Sequence, residues 1–310
     1  MPASDNRQSL PLAVALIGFG EAARAFVSGW EGRESLALTT FDIKTDGAGP
    51  EREEILDACE RHGVNCAGSA PEAVAGADAV FSFVTADQAE QAARSVLPGL
   101  RPGGFYFDCN SCAPQTKQAS AELIDGAGAQ YIDVAVMAPV HPRLHQTPVL
   151  VSGPRAEQAL EIMYRLDMQA KALGPKVGDA AAIKLVRSIM IKGMEALSAE
   201  CLLAGRTLGV EERVIDTLKE SHPGMDWAVT MQRSLERMMV HGRRRAAEMR
   251  ESCTMVEQLG LPGRMAQATA NWQQQIGEQA LRPGTEDMGE RADRVLDALT
   301  RKHGHRRSKP

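Results

Sequence analysis

The segment Gly18-Phe19-Gly20-Glu21-Ala22-Ala23 has the spacing G-x-G-x-x-A. It stands between a continuous apolar run, Leu12–Ile17, and a helical pattern, Glu21–Trp30. Each small residue has a physical reason to be there. Gly18 permits a tight turn, Gly20 lets backbone approach a pyrophosphate with no Cβ in the way, and Ala23 lets the helix pack closely on the strand. The free N–H groups and positive dipole of the helix start then attract phosphate. Asp42 follows at the end of the second strand pattern. An acid there accepts hydrogen bonds from ribose hydroxyls and repels a 2′-phosphate, so NAD is favoured over NADP, with Lys44 close enough to weaken that preference. Cys109 and Cys112 form a C-x-x-C, and His141 and His145 stand four apart. No second C-x-x-C or suitable histidine pair accompanies them, and Pro142 opposes an established helix. Neither is read as a redox or metal site, and no metal is expected.

Strands and helices alternate through the first half to place these residues. Strand patterns are read at Leu12–Ile17, Leu36–Asp42, Ala79–Val84, Gly104–Asp108, Gln130–Val136, Pro148–Ser152 and near Lys171–Leu173, with helix around Gln88–Leu97. That alternation predicts a parallel sheet covered on both faces. Ile183, Val186, Met190, Met194, Leu197 and Cys201 then recur at three- and four-residue steps, which predicts one long amphipathic helix over Asp179–Leu208. Helical patterns continue at Glu211–Glu220, Asp226–Leu259, Arg264–Gln279 and Glu286–Thr300, with methionine-rich faces suited to core or subunit packing. The fold expected is an α/β Rossmann domain over residues 1–178 followed by an all-α domain over 179–310.

Three further stretches join the glycine turn. Asp108-Cys109-Asn110-Ser111-Cys112-Ala113-Pro114 looks like D-x-S-T-x-x-P. Gly128-Ala129-Gln130-Tyr131-Ile132-Asp133-Val134-Ala135-Val136 is similar to G-x-x-F-x-D-A-P-V. Gly178-Asp179-Ala180-Ala181-Ala182-Ile183-Lys184 is similar to G-x-G-x-x-x-K. In this order and spacing they resemble the β-hydroxyacid dehydrogenase superfamily, which includes 3-hydroxyisobutyrate dehydrogenase, tartronate semialdehyde reductase and 6-phosphogluconate dehydrogenase. The resemblance implies an NAD(P)-dependent oxidoreductase acting on a small hydroxy acid or sugar acid, with its site at the junction of the two domains and a homodimer formed through the helical one. Lys184 would be the general acid/base. A lysine shuttles protons near neutral pH only where burial or a cationic neighbour such as Arg187 weakens its hold on the proton. Asn110 and Ser111 would contact substrate, and Asn110 also the cofactor. Phe19, Glu21, Ala22, Val84 and Thr85 would join Gly18, Gly20 and Asp42 around the dinucleotide.

The chain departs from the family in two places. Met137-Ala138-Pro139 replaces the Ser-Gly-Gly whose amides hold the substrate carboxylate, and proline has no N–H to offer. Arg187 is the first alternative partner for that carboxylate, then Arg143 or His141. Arg187 and Ser188 stand where the family has Asn-Asn or His-Asn, and Ser188 could hydrogen-bond in their place. The stretch from His241 to Met249 looks like a divergent branch with a variant helical domain. An imine or keto reductase on the same scaffold, or a dinucleotide-sensing protein without catalysis, would share these features.

Composition narrows the classes further. Of 310 residues, 44% are hydrophobic and 24% charged, which is ordinary for a globular protein and excludes a collagen or disulfide scaffold. A net charge of −5 and 4% aromatics speak against a nucleic-acid surface. The six cysteines are scattered, as in reduced cytoplasmic proteins. A glycine turn follows Leu12–Ile17 where a leader peptide would have its cleavage site, so that run reads as a strand. No stretch approaches the roughly 20 apolar residues of a membrane span. Residues 1–10 and the basic last ten read as solvated tails.

Overall fold

Period-two alternation along the first strand sets the two faces of a sheet. In β1, Leu12–Ile17, Val14 and Leu16 enter one buried layer, and Ala15 and Ile17 enter the other. The computed structural model describes residues 11–30, 35–284 and 286–307, with backbone alone for 302–307. Eight strands form one sheet in the order β3-β2-β1-β4-β5-β6-β7-β8. The others are β2, Leu36–Phe41; β3, Asn65–Cys66; β4, Ala79–Ser82; β5, Phe105–Asp108; β6, Gln130–Val136; β7, Val149–Ser152; and β8, Ala170–Gly174. One face is covered by α1, Glu21–Trp30, by α2, Pro50–Arg61, and by α6, Ala156–Arg165. The opposite face is covered by α3, Ala70–Val74, by α4, Ala89–Val96, and by α5, Pro114–Gly126.

One sheet pairing corrects the all-parallel expectation. Every neighbouring pair is parallel except β6 and β7, which run antiparallel. A parallel return needs a crossover, usually a helix. The segment between β6 and β7 holds only a one-turn helix, Leu144–Gln146, and Met137 N–H donates to Pro148 O at 2.9 Å, extending the antiparallel ladder.

The chain divides into two compact units, residues 1–184 and 185–310. The sheet belongs to the first. The long helix α7, Asp179–Leu208, begins in the first unit and continues into the second. The second unit also holds α8, Glu211–Ser221; α9, Trp227–Gln258; α10, Arg264–Gly277; and α11, Met288–Arg307. Helix α11 passes beyond Thr300 into the stretch expected as a tail. Residues 1–10 and 308–310, also expected as tails, lie outside the described residues. Among the described residues, no helix is long and apolar enough to cross a membrane.

The apolar stripe of α7 is not its buried face. Ile183, Val186, Met190 and Leu197 are 44%, 55%, 65% and 58% exposed, whereas Leu185, Ser188, Lys192, Glu195 and Ala199 are buried. Charge pairing explains the inversion. Lys192 Nζ lies 2.8 Å from Glu248 Oε2 of α9, and Glu195 takes Arg245 and, at 3.1 Å, Arg237 from the same helix. The polar face is satisfied across the helix pair, and the apolar face is left uncovered.

Candidate functional site

Gly18 adopts φ +86°, and a Cβ there would stand 2.5 Å from Phe83 O, so only glycine fits the turn. Its N–H donates to Phe41 O at 2.8 Å, joining the turn to the end of β2. At Gly20 a Cβ would meet nothing within 4 Å, because that backbone faces a cavity of about 480 Å³. Gly20, Glu21, Arg24, Asp42, Lys44 and His141 are among its lining residues. The start of α1 therefore opens onto a space rimmed by Asp42, an arrangement that could take a dinucleotide.

Asp42 is fixed from two sides. Its Oδ2 accepts the Phe19 N–H at 2.8 Å and its Oδ1 accepts the Lys44 N–H at 3.0 Å. Each oxygen keeps lone-pair capacity for a hydroxyl. Lys44 Nζ turns to Glu51 Oε1 at 3.1 Å, and that hydrogen bond and charge raise its pKa. The Phe19 side chain is fully buried and meets the His62 ring edge-on, so Phe19 serves the turn through its backbone. Ala22 packs against the sheet. Arg24, which the sequence reading missed, donates to Phe19 O at 2.7 Å and pairs with Glu54 at 3.0 Å. Its position one residue after G-x-G-x-x-A, on the first turns of α1, was the available signal.

Asn110 is inward-facing. It is 4% exposed, its Oδ1 accepts the Val84 N–H at 2.7 Å, and its Nδ2 donates to Ser82 Oγ at 3.0 Å. The side chain thus pins the end of β4 to the end of β5. Thr85 precedes a one-turn helix, Ala86–Gln88, and hydrogen-bonds the Asp87 carboxylate, which lowers the pKa of that acid. Ser111, by contrast, is half-buried and meets the lysine. Lys184 Nζ donates to Ser111 Oγ at 2.5 Å across 73 residues of sequence. Two motifs read separately are therefore brought together in the first unit, at the carboxyl end of β5, where open parallel sheets bind ligands.

The substrate-anion candidates differ in their surroundings. His141 lines the cavity with Gly20 and Asp42. Arg143 is exposed on the segment between β6 and β7. Arg187 is exposed, and Ser188 is buried with its Oγ accepting Lys192 Nζ at 3.0 Å, both in the second unit. The Met137 N–H is occupied by Pro148 O and Pro139 has none, so neither can hold a carboxylate as the family's glycine amides do. Cys109 and Cys112 are buried and in no disulfide, and burial pushes the Cys109 pKa up. Among the described residues, no group of three or more His, Cys, Asp or Glu could hold a metal ion.

Sequence reading also missed Lys117. The buried residues of α5 are Lys117, Ser120, Ala121 and Ile124, so a cation stands in the i, i+3, i+4, i+7 stripe that faces the sheet. That misplacement was the signal that buried anions must await it.

The family profile described as the NAD binding domain of 6-phosphogluconate dehydrogenase matches residues 15–166, and a domain of unknown function matches 206–276. A solved structure of a conserved hypothetical protein from Sinorhizobium meliloti 1021 is 32% identical, with 95% of this chain and 98% of that one covered at a TM-score of 0.76. The 3-hydroxyisobutyrate dehydrogenase of Pseudomonas aeruginosa PAO1 is 28% identical over 179 residues, 54% of this chain and 59% of its own length. The Mycobacterium tuberculosis 3-hydroxyisobutyrate dehydrogenase, solved with L-serine, shares the fold at 16% identity and a TM-score of 0.70, with 92% and 99% covered.

Proposed function

From the premise that the chain belongs to the β-hydroxyacid dehydrogenase superfamily, we propose that it is an NAD-dependent dehydrogenase of a small hydroxy acid or sugar acid, with Lys184 as general acid/base. The observation that carries this reading is the Lys184–Ser111 contact at the end of β5. Gly18, Gly20 and the start of α1 would cradle the pyrophosphate, and Asp42 would accept the ribose hydroxyls. Bound NAD supplies C4 of its nicotinamide as the hydride acceptor. Lys184 Nζ, in its amine form, takes the hydroxyl proton as the carbinol carbon loses hydride. In the reductive direction the Lys184 ammonium returns that proton to the carbonyl oxygen. Ser111 Oγ holds Nζ toward the reacting oxygen.

The carboxylate of the acid falls to a side-chain cation, and exposed Arg187 and Arg143 are the candidates. His141 belongs with the dinucleotide. The uncovered stripe Val186, Met190 and Leu197 supports homodimerisation through the helical unit. Six scattered cysteines, none in a disulfide, support a cytoplasmic setting.

A panel of hydroxy acids and sugar acids, followed at 340 nm with NAD and NADP, tests the reading. Lys184→Ala should lose about 10²–10⁴-fold in turnover while dinucleotide affinity, measured by NADH fluorescence, is kept. Full turnover in Lys184→Ala would sink the assignment. Dinucleotide binding without turnover of any acid would favour an imine or keto reductase, for which the altered Met137–Pro139 segment leaves room. Asp42→Ser removes a charge whose juxtaposition with a 2′-phosphate costs several kcal/mol, so the preference for NAD over NADP should fall by at least about tenfold. An unchanged ratio would remove Asp42 from cofactor selection.

A further inference from the structure

Two buried carboxylates and one buried ammonium lie between the loop that carries Ser111 and the helix that carries Lys184. Lys117 is fully buried. Its Nζ donates to the Asp108 carbonyl at 2.7 Å and lies 2.9 Å from Asp108 Oδ1 and 3.4 Å from Asp133 Oδ1. Asp108 ends β5, three residues before Ser111. Its Oδ1 accepts the Asn110 N–H at 3.0 Å and its Oδ2 accepts the Tyr131 hydroxyl at 2.6 Å. Asp133 serves the other side. Its Oδ2 accepts the Ser152 hydroxyl at 3.0 Å, the Gly178 N–H at 3.2 Å and the Ala181 N–H at 3.1 Å, while Ser152 Oγ accepts the Ala180 N–H at 3.1 Å. The Gly178, Ala180 and Ala181 amides at the start of α7 thus end on one carboxylate and its serine.

The charges are matched to this arrangement. Two carboxylates and one ammonium leave a single negative charge, set against the positive end of α7. Burial works against the Lys117 charge, but Asp108, with Asp133 behind it, overrides that and holds its pKa far above the ordinary lysine range. Burial and Asp108 likewise hold the Tyr131 pKa well up, so the phenol stays a donor. Stability alone does not account for such a cluster, because apolar side chains of similar volume are often as stable. What apolar residues could not do is tie one loop and one helix start to a common point. Gly178 marks how close the two come: at φ +98° its Cβ would stand 3.0 Å from Pro114 Cβ, at the start of the helix carrying Lys117.

We propose that Lys117 is a positioning residue: by clamping Asp108 and Asp133 it fixes the Ser111 loop against the first turn of α7 and so sets the Lys184–Ser111 contact. Its bearing on catalysis rests on the reading of Lys184 as the acid/base. The clamp itself does not.

Lys117→Met alone leaves two facing buried carboxylates and is expected to unfold readily. Lys117→Met/Asp108→Asn restores the single negative charge and leaves Asp133 on α7. Asp133→Asn cuts the link from the other side while keeping an acceptor for the α7 amides. Both variants are compared with wild type by melting temperature and by trace acetylation with acetic anhydride, read on the Lys184 peptide against Lys44 and Lys192. With melting close to wild type, Lys184 acetylation should change several-fold while the reference lysines hold steady. Where a hydroxy acid is turned over, kcat should fall at least tenfold at unchanged KM for NAD. Restored melting with Lys184 acetylated as in wild type would overturn the proposal. A protein that oxidises no acid would count against the dehydrogenase reading and leave the acetylation result to decide the clamp.

Discussion

All seven phenylalanines lie in the first unit, and the last ten of the 14 methionines lie in the second. Phe81 and Phe107 stack at 4.5 Å between β4 and β5, Phe26 reaches Phe83 at 5.0 Å, and Trp30 meets Phe81 at 5.7 Å. The second core is built instead on Met231, Leu235, Met238 and Met239 of α9 against Leu202 and Leu203 of α7. Rigid rings with two side-chain torsions define one geometry, whereas unbranched thioethers fill irregular gaps and tolerate exchange. Buried charge is present in both units, with Lys192, Glu195 and Arg291 in the second. Asp108, Lys117 and Asp133 are 0% exposed, while in the second unit Glu195 pairs with Arg237, whose side chain is 53% exposed. The core of the unit that holds Lys184 is therefore built on rings of fixed geometry, and the other on side chains that accommodate.

Mutations can break that contrast. Phe107→Ala removes a fully buried ring from the stack and should cost about 3–5 kcal/mol in urea unfolding. A loss under about 1 kcal/mol would mean the rings are not what defines this core. Met238→Leu, an exchange that conserves volume in the second core, should cost less than about 1.5 kcal/mol. A larger cost would show that the methionine core is as exacting as the aromatic one.

A pH-dependent effect comes from alkali and the first unit. Burial, with Cys66 beside it, raises the Cys59 thiol from its ordinary 9.0 to about 12. The folded state therefore prefers the protonated thiol. Below pH 9 that preference has no effect on stability. As pH climbs from 9 through 12 the unfolded chain ionises first, and stability is lost. Cys59→Ala should flatten part of the fall in melting temperature over that window. An unaltered slope would assign the loss to other groups.

How much of this could be read from the chain depends on where each partner lies. The continuous apolar run of β1, the glycine punctuation before α1 and the period of β6 are local, and those three elements have the predicted bounds. Helix α2 carries Glu51, Glu53 and Glu54 in its first turns and buries only Ile55, Ala58 and Cys59, so its hydrophobic signal is thin. The inverted face of α7 was not legible, because Lys192 and Glu195 are satisfied by residues of α9 some 50 positions away. The Lys184–Ser111 contact was half legible. Both motifs stand in the sequence, but the distance between them depends on Lys117, whose acidic partners lie in the Ser111 motif and in the stretch Gly128–Val136.

The Asp108–Lys117–Asp133 cluster also constrains descent. Replacing the lysine first strands two like charges, and replacing either acid first changes the balance that the α7 start relies on. The three positions are thus expected to be inherited as a set, with intermediates disfavoured in both directions. In a lineage where position 117 has become apolar, one of the two acids should already have been neutralised, so the order of loss along such a lineage would record which bond of the cluster gave way first.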